Sequence, residues 1–455
     1  MNNTSYKDPS GFVFYENDKI YRQINKSYKD DYDYFISSGL YSLLVKKKQL
    51  VSHKEVHLTR DENEHFYKFI QPEKIDFITY SYEWCFSQLK DAALLTLEIQ
   101  KTALDHNMIL KDATSYNVQF NCGQPIFIDT LSFEKYREGT PWLAYKQFCQ
   151  HFLAPLALMS KVDIRLNGLL KNYIDGIPLD LAAKLLPTTA KFNFGLLTHV
   201  FLHSEAQKKY ENEDLKSRQN VSFLNRFGLN ALLDSLTDCI KSLKLPQLET
   251  EWGAYYSNTN YSDSAFLSKK EIISDYIDKI IPTSVIDLGA NKGDFSRISA
   301  ERNIKTISCD IDPIAVEKNY LYCKKNKEFN ILPLIIDLTN PTPDIGFMND
   351  ERSSFIKRSN VSLTMALALI HHLAISNNLP LKNIANFFSK FSEALIVEFI
   401  PKDDSKVQTL LASREDIFPD YNKACFEKSF SNYFEIINSS NVLDSKRVLY
   451  LMRKK

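Results

Sequence analysis

Short apolar runs alternate with amphipathic stretches along the second half of the chain, a pattern typical of strands separated by helices. Most of these runs are rich in Val, Ile and Leu, and several end in an acidic residue before a turn. This order of strand, turn and helix predicts an α/β domain. Five predicted strands lie in VIDL, KTISCD, LPLIID, VSLTMALALIHHLA and ALIVEFIP, and two more, FEIINSS and RVLYLMRKK, follow them.

The first 203 residues have shorter and less regular apolar runs. Two aromatic runs flank an Asn-Asp pair in GFVFYENDKIYRQI, which predicts a β-hairpin. Apolar positions in 78–110 follow helical spacing, and YNVQF and PIFID predict two strands around an NCG turn at 121–123. We therefore expect an α+β domain here. Its last part, from Pro141 to about Leu202, is helical in pattern, with breaks predicted at Pro155, Pro178 and Pro187.

A charged stretch separates the two halves of the chain. The run SEAQKKYENEDLKSRQN at 204–220 has almost no apolar residues, whereas the following NRFGLNALLDSLTDCIKSL has the spacing of a short helix. The sequence therefore predicts a charged linker and helical connector over 204–247. An N-terminal accessory domain over 1–203 precedes the linker, and the α/β domain occupies 248–455.

Composition narrows the class of protein. Hydrophobic residues make up 44% and aromatic residues 13% of the chain, enough for packed cores rather than disorder. The 56 basic residues balance 56 acidic ones, so nucleic-acid binding, which usually needs a basic excess, is unsupported. No apolar run reaches the ~20 residues of a membrane span, and the polar N-terminus lacks the apolar core of a signal peptide. We expect a cytoplasmic protein that does not bind membranes.

Cysteine spacing gives no sign of a metal centre. The seven cysteines are scattered, with no C-x-x-C pair and no Cys/His pair at zinc spacing. They indicate buried thiols in a reducing compartment, and we expect no bound metal. The sequence leaves the oligomeric state open.

The turn after the first strand of the α/β domain has the features of a cofactor-binding loop. In VIDLGANKGDFSRI, Gly289 and Gly293 frame a tight turn between a strand and a helix. Glycine tolerates positive φ and has no side chain, so backbone N–H groups and the helix N-terminus can approach a ligand closely. The chain has only 12 glycines in 455 residues, which gives two in one turn more weight. The dinucleotide fingerprint G-x-G-x-x-G is not met, because Asn291 and Asp294 occupy two of its glycine positions.

The same turn resembles motif I of the class I S-adenosylmethionine (SAM) methyltransferases, approximately D/E-x-G-x-G-x-G. Asp287, Gly289 and Gly293 match, and Asn291 replaces the middle glycine, a mild change because Asn tolerates left-handed backbone. The resemblance covers about 250–455 and implies a Rossmann-like, seven-stranded sheet closed by an antiparallel strand pair. It implies SAM as the cofactor and a SAM-dependent methyltransferase, a transferase enzyme, as the function.

Acidic residues at the ends of later strands extend the candidate SAM site. Asp310 follows Asp287 by 23 residues, close to the ~20-residue spacing at which α/β cofactor folds place a carboxylate for ribose hydroxyls. Asp337 ends the third strand, where the resemblance implies a contact with the adenine amino group. The predicted cofactor residues are Asp287, Gly289, Asn291, Gly293, Asp310, Ile311, Asp337 and Leu338, and Glu398 ends a further strand at the same edge.

Two later segments narrow the resemblance further. LIHHLAISNN and LIVEFIPKDD with LASREDIFPDY are similar to a bacterial group that includes the nodulation methyltransferases of the Noe type. His371 and His372 follow the fourth strand, and such a pair suits a general base for the methyl acceptor. The alternative is structural: one histidine packs against the cofactor and the other caps a carbonyl group. The acceptor stays open among a small molecule, a saccharide-type metabolite and a protein.

A second spacing pattern lies in the N-terminal domain. Asp112, Asn117 and Asp129 are spaced D-x4-N-x11-D, which weakly resembles the catalytic-loop Asp, metal-binding Asn and metal-binding Asp of the kinase fold. The His-Arg pair before the first Asp, the Gly-rich loop and the V-A-I-K strand of that fold are absent. The three residues therefore either converge on a metal and ATP or belong to a hairpin in a recognition domain.

Two alternatives to a plain methyltransferase stay open. One is a non-catalytic SAM-binding sensor or scaffold, in which the N-terminal domain binds a partner. The other is a bifunctional protein that joins a kinase-like domain to a methyltransferase.

Overall fold

The computed structural model describes residues 7–58, 64–206, 225–246, 263–412 and 415–455. The chain forms two compact units. Unit 1 comprises Met1–Gln247 together with Asp344–Arg352, and unit 2 comprises Leu248–Pro343 together with Ser353–Lys455. The pattern of apolar residues gave no indication that a short segment from the second half would belong to unit 1.

Unit 1 begins with a small antiparallel sheet and two helices. These elements are β1 (Gly11–Glu16), β2 (Lys19–Asn25), α1 (Lys29–Ser37), α2 (Leu40–Lys46), β3 (His53–Val56) and β4 (Phe66–Pro72). The strand order is β1-β2-β4-β3. The predicted hairpin is confirmed, because Asn17 and Asp18 adopt positive φ angles of 50° and 60° and close a tight turn between β1 and β2. Tyr32 of α1 packs with Ile24 and Ile70 of the sheet in a buried cluster.

A long helix and short strand pairs follow. They are α3 (Phe86–Asp105), β5 (Met108–Leu110), β6 (Val118–Asn121), β7 (Gln124–Phe127) and β8 (Phe133–Lys135). The pair β6–β7 is the hairpin predicted around the NCG turn, and Cys122 and Gly123 in that turn have φ angles of 48° and 67°. Strand β5 pairs with β8. The loop that contains Asp112 directly follows β5, and the turn that contains Asp129 directly precedes β8, so both segments begin or end beside this strand pair.

The helical part of unit 1 differs from the prediction at one proline. Its helices are α4 (Tyr145–Phe148), α5 (Ala154–Lys161), α6 (Leu169–Asn172), α7 (Leu179–Leu185), α8 (Phe194–Leu196) and α9 (Arg226–Ser242). The break predicted at Pro155 is wrong, because a π-helical turn at Cys149–Leu153 joins α4 to α5 and Pro155 is the second residue of α5. The wider π turn leaves room for a proline ring that would otherwise collide with the carbonyl group four residues earlier.

The other predictions for this part agree with the structure. Pro178 directly precedes α7, and Pro187 follows it. A helix, α9, is present where the helical connector was predicted, and it belongs to unit 1; most of the predicted charged run at 204–220 lies outside the described residues.

Unit 2 is built on a seven-stranded mixed sheet. Its strands are β9 (Ser284–Leu288), β10 (Lys305–Asp310), β11 (Ile331–Ile335), β12 (Val361–Ala366), β13 (Ser392–Phe399), β14 (Phe434–Asn441) and β15 (Val448–Lys454). The order is β11-β10-β9-β12-β13-β15-β14. The first five strands are parallel, and β15 runs antiparallel to both β13 and β14. The predicted seven-stranded α/β sheet with a closing antiparallel pair is therefore confirmed.

The helices of unit 2 precede its sheet or lie between its strands. They are α10 (Asp263–Ile280), α11 (Ser296–Ala300), α12 (Pro313–Asn326), α13 (Phe355–Arg358), α14 (Leu381–Ser389), α15 (Ser405–Leu411) and α16 (Lys423–Phe430). One buried cluster joins Ile273 and Ile277 of α10 to Val285, Leu363 and Ile396 of three neighbouring strands. Parallel strands buried on both faces consist of nearly continuous apolar runs, which is why the sequence predicts them well. Among the described residues, no helix is both long enough and apolar enough to cross a bilayer.

Candidate cofactor site

The sheet order of unit 2 reverses at β9, because β10 lies on one side of it and β12 on the other. Open α/β sheets bind ligands at the carboxyl ends of the strands beside such a point. A cavity of about 420 Å³ lies there, within the size range of small-molecule sites. Residues from the ends of β9, β10, β11 and β12 line it, together with residues of α10, α15 and the turn at His372–Ser376.

The turn after β9 depends on left-handed backbone at the predicted positions. Gly289 has a φ of +72°, and a Cβ at that position would lie 3.3 Å from Leu369 Cδ1. Asn291 has a φ of 51°, the conformation that its replacement of a glycine requires. Gly289 and Asn291 both line the cavity, so the backbone of the turn is directly accessible to a ligand.

Gly293 has a different role from the other turn residues. Its φ is +79°, and a Cβ there would lie 2.7 Å from Asn319 Nδ2 of α12. Within the described part of the chain, Gly293 is not part of the cavity lining. This glycine therefore allows the close packing of the turn against α12 and does not face the cavity.

Asp310, at the end of β10, ties two loops together beside the cavity. One carboxylate oxygen accepts a hydrogen bond from the Asn291 backbone N–H at 2.7 Å, and the other accepts one from the Asp312 N–H at 2.9 Å. Burial raises the pKa of Asp310 to about 6, although these two backbone donors lower it. The carboxyl group is thus fixed in position and titrates near neutral pH.

Asp287 lies on the neighbouring strand and is almost fully buried in the cavity wall. Its carboxylate accepts a hydrogen bond from the Ser296 hydroxyl at 2.6 Å. Burial raises the pKa of Asp287 to about 7, while Ser296 and the Lys269 ammonium lower it. The cavity therefore contains two neighbouring carboxyl groups that change charge between acidic and neutral pH.

The ends of β10 and β11 form the other end of the cavity. Ile311, Asp337 and Leu338, which the sequence analysis gives as cofactor-binding residues, all line it. The Asp337 carboxylate accepts hydrogen bonds from the backbone N–H and the hydroxyl of Thr339, at 2.8 Å and 2.6 Å. These bonds fix its orientation, and its contact with adenine stays a prediction.

The structure separates the two predicted catalytic histidines. His372 lines the cavity, at the start of the π-helical turn His372–Ser376. Burial lowers the pKa of His372 to about 4, so its ring is neutral at neutral pH. His371 packs behind it, with ring centroids 4.1 Å apart, and is 1% exposed. Among the described residues, His371 is not in the lining and neither of its ring nitrogens has a hydrogen-bond partner, so its predicted direct role in catalysis does not fit its position.

Sequence reasoning missed several residues of the cavity wall, above all Lys269 of α10. Lys269 shares the buried face of this helix with Ala265, Ile273 and Ile277, which follow it or precede it at four-residue intervals. A lysine within such an apolar stripe is a signal in the sequence. Because lysines are almost never fully buried unless their charge is paired, it indicates a lysine with a specific partner. Glu398 of β13, predicted at the ligand edge, lies behind the wall and contacts Lys269.

In unit 1, a chain of hydrogen bonds connects the three residues of the second spacing pattern. The Asn117 side chain bonds to Asp112 and donates to the Ser132 hydroxyl at 3.2 Å, and Ser132 donates to Asp129 at 2.5 Å. Arg22 of β2 forms an ion pair with Asp129. Burial alone would raise the pKa of Asp129, but the Arg22 guanidinium brings it below its usual value.

Asp112, Asn117 and Asp129 together offer two carboxylates and one amide as oxygen ligands. Within the described residues, no group of three or more His, Cys, Asp or Glu side chains could hold a metal ion. The kinase-like fold predicted for unit 1 is not confirmed.

Comparison with known proteins identifies the family. The nodulation protein NoeA of Rhizobium meliloti (strain 1021) is 34% identical over 460 residues, an alignment that covers 99% of this chain and 95% of NoeA. The chain belongs to the NoeA family. The predicted resemblance to the Noe-type group is thereby confirmed, and it extends over both units. No family model matches the sequence.

Solved structures show only distant similarity to this NoeA relative. The bifunctional kinase-methyltransferase WbdD is 14% identical with a TM-score of 0.31, over 42% of this chain and 40% of WbdD. Magnesium protoporphyrin IX methyltransferase from Synechocystis PCC 6803 with bound SAH is 14% identical with a TM-score of 0.31, over 45% and 92% of the two chains. The N-methyltransferase NodS from Bradyrhizobium japonicum WM9 is 9% identical with a TM-score of 0.31, over 42% and 98%.

Proposed function

We propose that unit 2 is a methyltransferase that uses S-adenosylmethionine. The observation that carries the proposal is the cavity beside β9, where the turn of Gly289 and Asn291 meets the carboxyl groups of Asp287 and Asp310. This arrangement agrees with the motif that the sequence shares with class I methyltransferases, and membership of the NoeA family supports the same assignment.

Residues along the cavity suit the adenine, the ribose and the middle of SAM. The Asp310 carboxylate is suited to accept hydrogen bonds from ribose hydroxyls, because backbone donors already fix both of its oxygens. Ile311, Asp337 and Leu338 would hold the adenine ring at the ends of β10 and β11. Gly289 leaves the backbone of the turn uncovered, so the middle of the cofactor can lie against it.

When bound, SAM supplies a methyl group that is activated by attachment to a sulfonium. The protein aligns an acceptor with that group, and such positioning is the largest contribution that a site of this kind makes to the rate. His372 is the residue that we assign to the acceptor's proton. Its ring is neutral at neutral pH, so a ring nitrogen can accept a proton from an acceptor hydroxyl or ammonium. Ser376 and Asn377 on the same wall add polar groups for orienting the acceptor.

Radiolabelled methyl transfer tests this proposal. Purified protein is incubated with SAM labelled in the methyl group and a size-fractionated cell lysate, beside the variants His372→Asn and Asp310→Ala. We expect label in one size fraction, a loss of roughly 10²–10⁴-fold in rate for His372→Asn, and no transfer by Asp310→Ala. The labelled fraction shows whether the acceptor is a small molecule, a saccharide-type metabolite or a protein.

The same experiment separates catalysis from the alternative of a SAM-binding sensor or scaffold. A sensor binds the cofactor but transfers no label to any fraction of the lysate. Binding without transfer by the wild-type protein would therefore reject the enzyme and favour the sensor.

A second candidate function belongs to unit 1, and the convergence of Asp112, Asn117 and Asp129 favours it. We propose that this group binds Mg-ATP, which would make the protein bifunctional. Carboxylate and amide oxygens are ligands that Mg²⁺ prefers, and ATP phosphates complete its coordination in such sites. Binding would require the ion to compete with Arg22 for Asp129.

A further inference from the structure

A buried ion pair supports the wall of the cavity. Lys269 Nζ of α10 lies 2.6 Å from Glu398 Oε2 of β13, and the two side chains are 1% and 0% exposed. Transfer of both charges from water costs several kcal/mol per ion, and their attraction offsets this cost only when further hydrogen bonds satisfy the pair. A pair at this depth is therefore a weak source of stability and calls for another explanation.

Glu398 makes the further bonds that such a pair requires. The same oxygen accepts a hydrogen bond from the Ala368 backbone N–H at 2.7 Å. Ala368 has a φ of +49°, which is unfavourable for a residue with a side chain, and it lines the cavity beside Leu367 and Leu369. One carboxylate thus holds a strained loop after β12 and a lysine from α10 in the same wall.

The charges around the pair are balanced. Arg447 lies 3.8 Å from the other Glu398 oxygen and pairs with Asp404 at 2.8 Å. Burial alone would raise the pKa of Glu398, but the Lys269 ammonium and the Arg447 guanidinium bring it below its usual value. The two cations and two carboxylates leave the cluster close to neutral, so the Lys269 charge is not buried without compensation.

Lys269 belongs to the cavity as well as to this cluster. Its ammonium group lies 4.5 Å from the centre of the Phe295 ring, and both side chains line the cavity with Asp287. Glu398 anchors the lysine to strand β13. In the sheet, β13 lies on one side of β9, and β10 and β11 lie on the other side. The ammonium therefore marks the end of the cavity opposite the proposed nucleoside end at Asp310 and Asp337.

We propose that Lys269, held in place by Glu398, binds the carboxylate at the amino-acid end of the cofactor. This inference rests on the proposed use of SAM. An ammonium has three donors, so Lys269 can keep its bond to Glu398 and still donate to a second oxygen. A bond between two charged groups in a closed cavity is stronger than one in water, which makes this end of the cofactor a major source of affinity.

Calorimetric binding of two probes tests the assignment. S-adenosylhomocysteine has the carboxylate, and 5′-methylthioadenosine shares its nucleoside but lacks the amino-acid end. Each probe is titrated into the wild-type protein, into Lys269→Met and into the control Lys279→Met, which removes an exposed lysine from the same helix. We expect Lys269→Met to weaken S-adenosylhomocysteine binding by roughly 10–100-fold, with 5′-methylthioadenosine binding unchanged and the control equal to wild type.

The other outcomes overturn the inference in distinguishable ways. If Lys269→Met binds S-adenosylhomocysteine as wild type does, or loses affinity for both probes equally, Lys269 does not hold the carboxylate. If the wild-type protein binds neither probe, the proposed function itself fails. If Lys269→Met does not fold, Lys269→Met/Glu398→Gln removes both charges while an amide oxygen still accepts from Ala368, and the same comparison applies to it.

Discussion

Asp310 has a structural role in the cavity wall besides the cofactor-binding role that we propose for it. Asp310 joins the turn after β9 to the loop after β10 through two backbone hydrogen bonds, and it faces the space where ribose hydroxyls are expected. Burial raises the pKa of Asp310 to about 6, and the nearby Asp287 and Asp312 carboxyl groups keep negative charge unfavourable there. If the cofactor binds as proposed, the protonation of Asp310 is coupled to its binding.

Cofactor affinity should consequently depend on pH. Below about pH 6 the Asp310 carboxyl is protonated and is a poorer acceptor for ribose hydroxyls; above it, the carboxylate accepts them. We expect S-adenosylhomocysteine to bind more tightly as the pH rises from 5 to 7.5, by up to about tenfold. Calorimetry across this range measures the effect. Asp310→Asn should flatten the profile, and a wild-type affinity that falls with rising pH would contradict the account.

At the scale of elements, the apolar strands of unit 2 fix the cavity by packing against α10. Ile396 of β13 is 0% exposed within the cluster that also contains Val285 and Leu363. Ile437 of β14 has the same side chain at 43% exposure. The two isoleucines therefore have the same side chain and differ in how far it is buried.

Truncation of these two isoleucines should affect stability very differently. Ile396→Ala leaves a cavity in the core and should lower the free energy of unfolding of unit 2 by about 2–5 kcal/mol. Ile437→Ala, the matched control, should change it by less than about 1 kcal/mol. Urea unfolding, followed by far-UV circular dichroism, gives both values. Equal losses at the two positions would contradict the packing described for the sheet.

The segments on either side of hairpin β6–β7 contain the residues of the second candidate function. If Asp112, Asn117 and Asp129 bind Mg-ATP, the ligand should raise the melting temperature of the wild-type protein by a few degrees. Asp129→Asn should remove that increase, while Asp8→Asn, which alters the other carboxylate paired with Arg22, should retain it. The quantity compared is the shift within each variant, so a lower starting temperature does not matter. No response in the wild-type protein would leave unit 1 as a recognition domain.

Some of these elements could be predicted from the sequence and others could not. The strands of unit 2 and the site residues at their ends follow from apolar runs and the turn residues after them, so Asp287, Asp310 and Asp337 were predictable. For Lys269, the apolar stripe of α10 indicates that the lysine is buried, but only tertiary packing brings this helix to the cavity. The continuous helix through Pro155 depends on a π turn for which the spacing of apolar residues gives no signal.

At the scale of the whole molecule, unit 1 is discontinuous in sequence, since Asp344–Arg352 belongs to it. Glu351 of this segment forms an ion pair with Lys7 at 2.6 Å. The Arg352 guanidinium lies 4.0 Å from the centre of the Tyr116 ring, in the loop that also contains Asp112 and Asn117. The stability of unit 1 should therefore depend on a segment that a fragment ending at residue 247 lacks.

Replacement of Arg352 tests this dependence in the complete chain. Arg352→Met removes the cation–π contact with Tyr116 and should lower the unfolding free energy of unit 1 by roughly 0.5–2 kcal/mol. Hydrogen exchange at the amides around Tyr116 reports the change locally. Arg165→Met replaces an exposed arginine of the same unit and should have no effect there. Unchanged exchange around Tyr116 in Arg352→Met would show that the segment does not support this loop.

Binding of S-adenosylmethionine in the cavity beside β9 underlies both the proposed function and the proposed role of Lys269. Calorimetric titration of the protein with SAM, S-adenosylhomocysteine and NAD measures it. We expect micromolar binding of the first two ligands, weaker or no binding of NAD, and loss of SAM binding in Asp310→Ala. Tighter binding of NAD than of SAM, or SAM binding that is unaffected by Asp310→Ala, would contradict it.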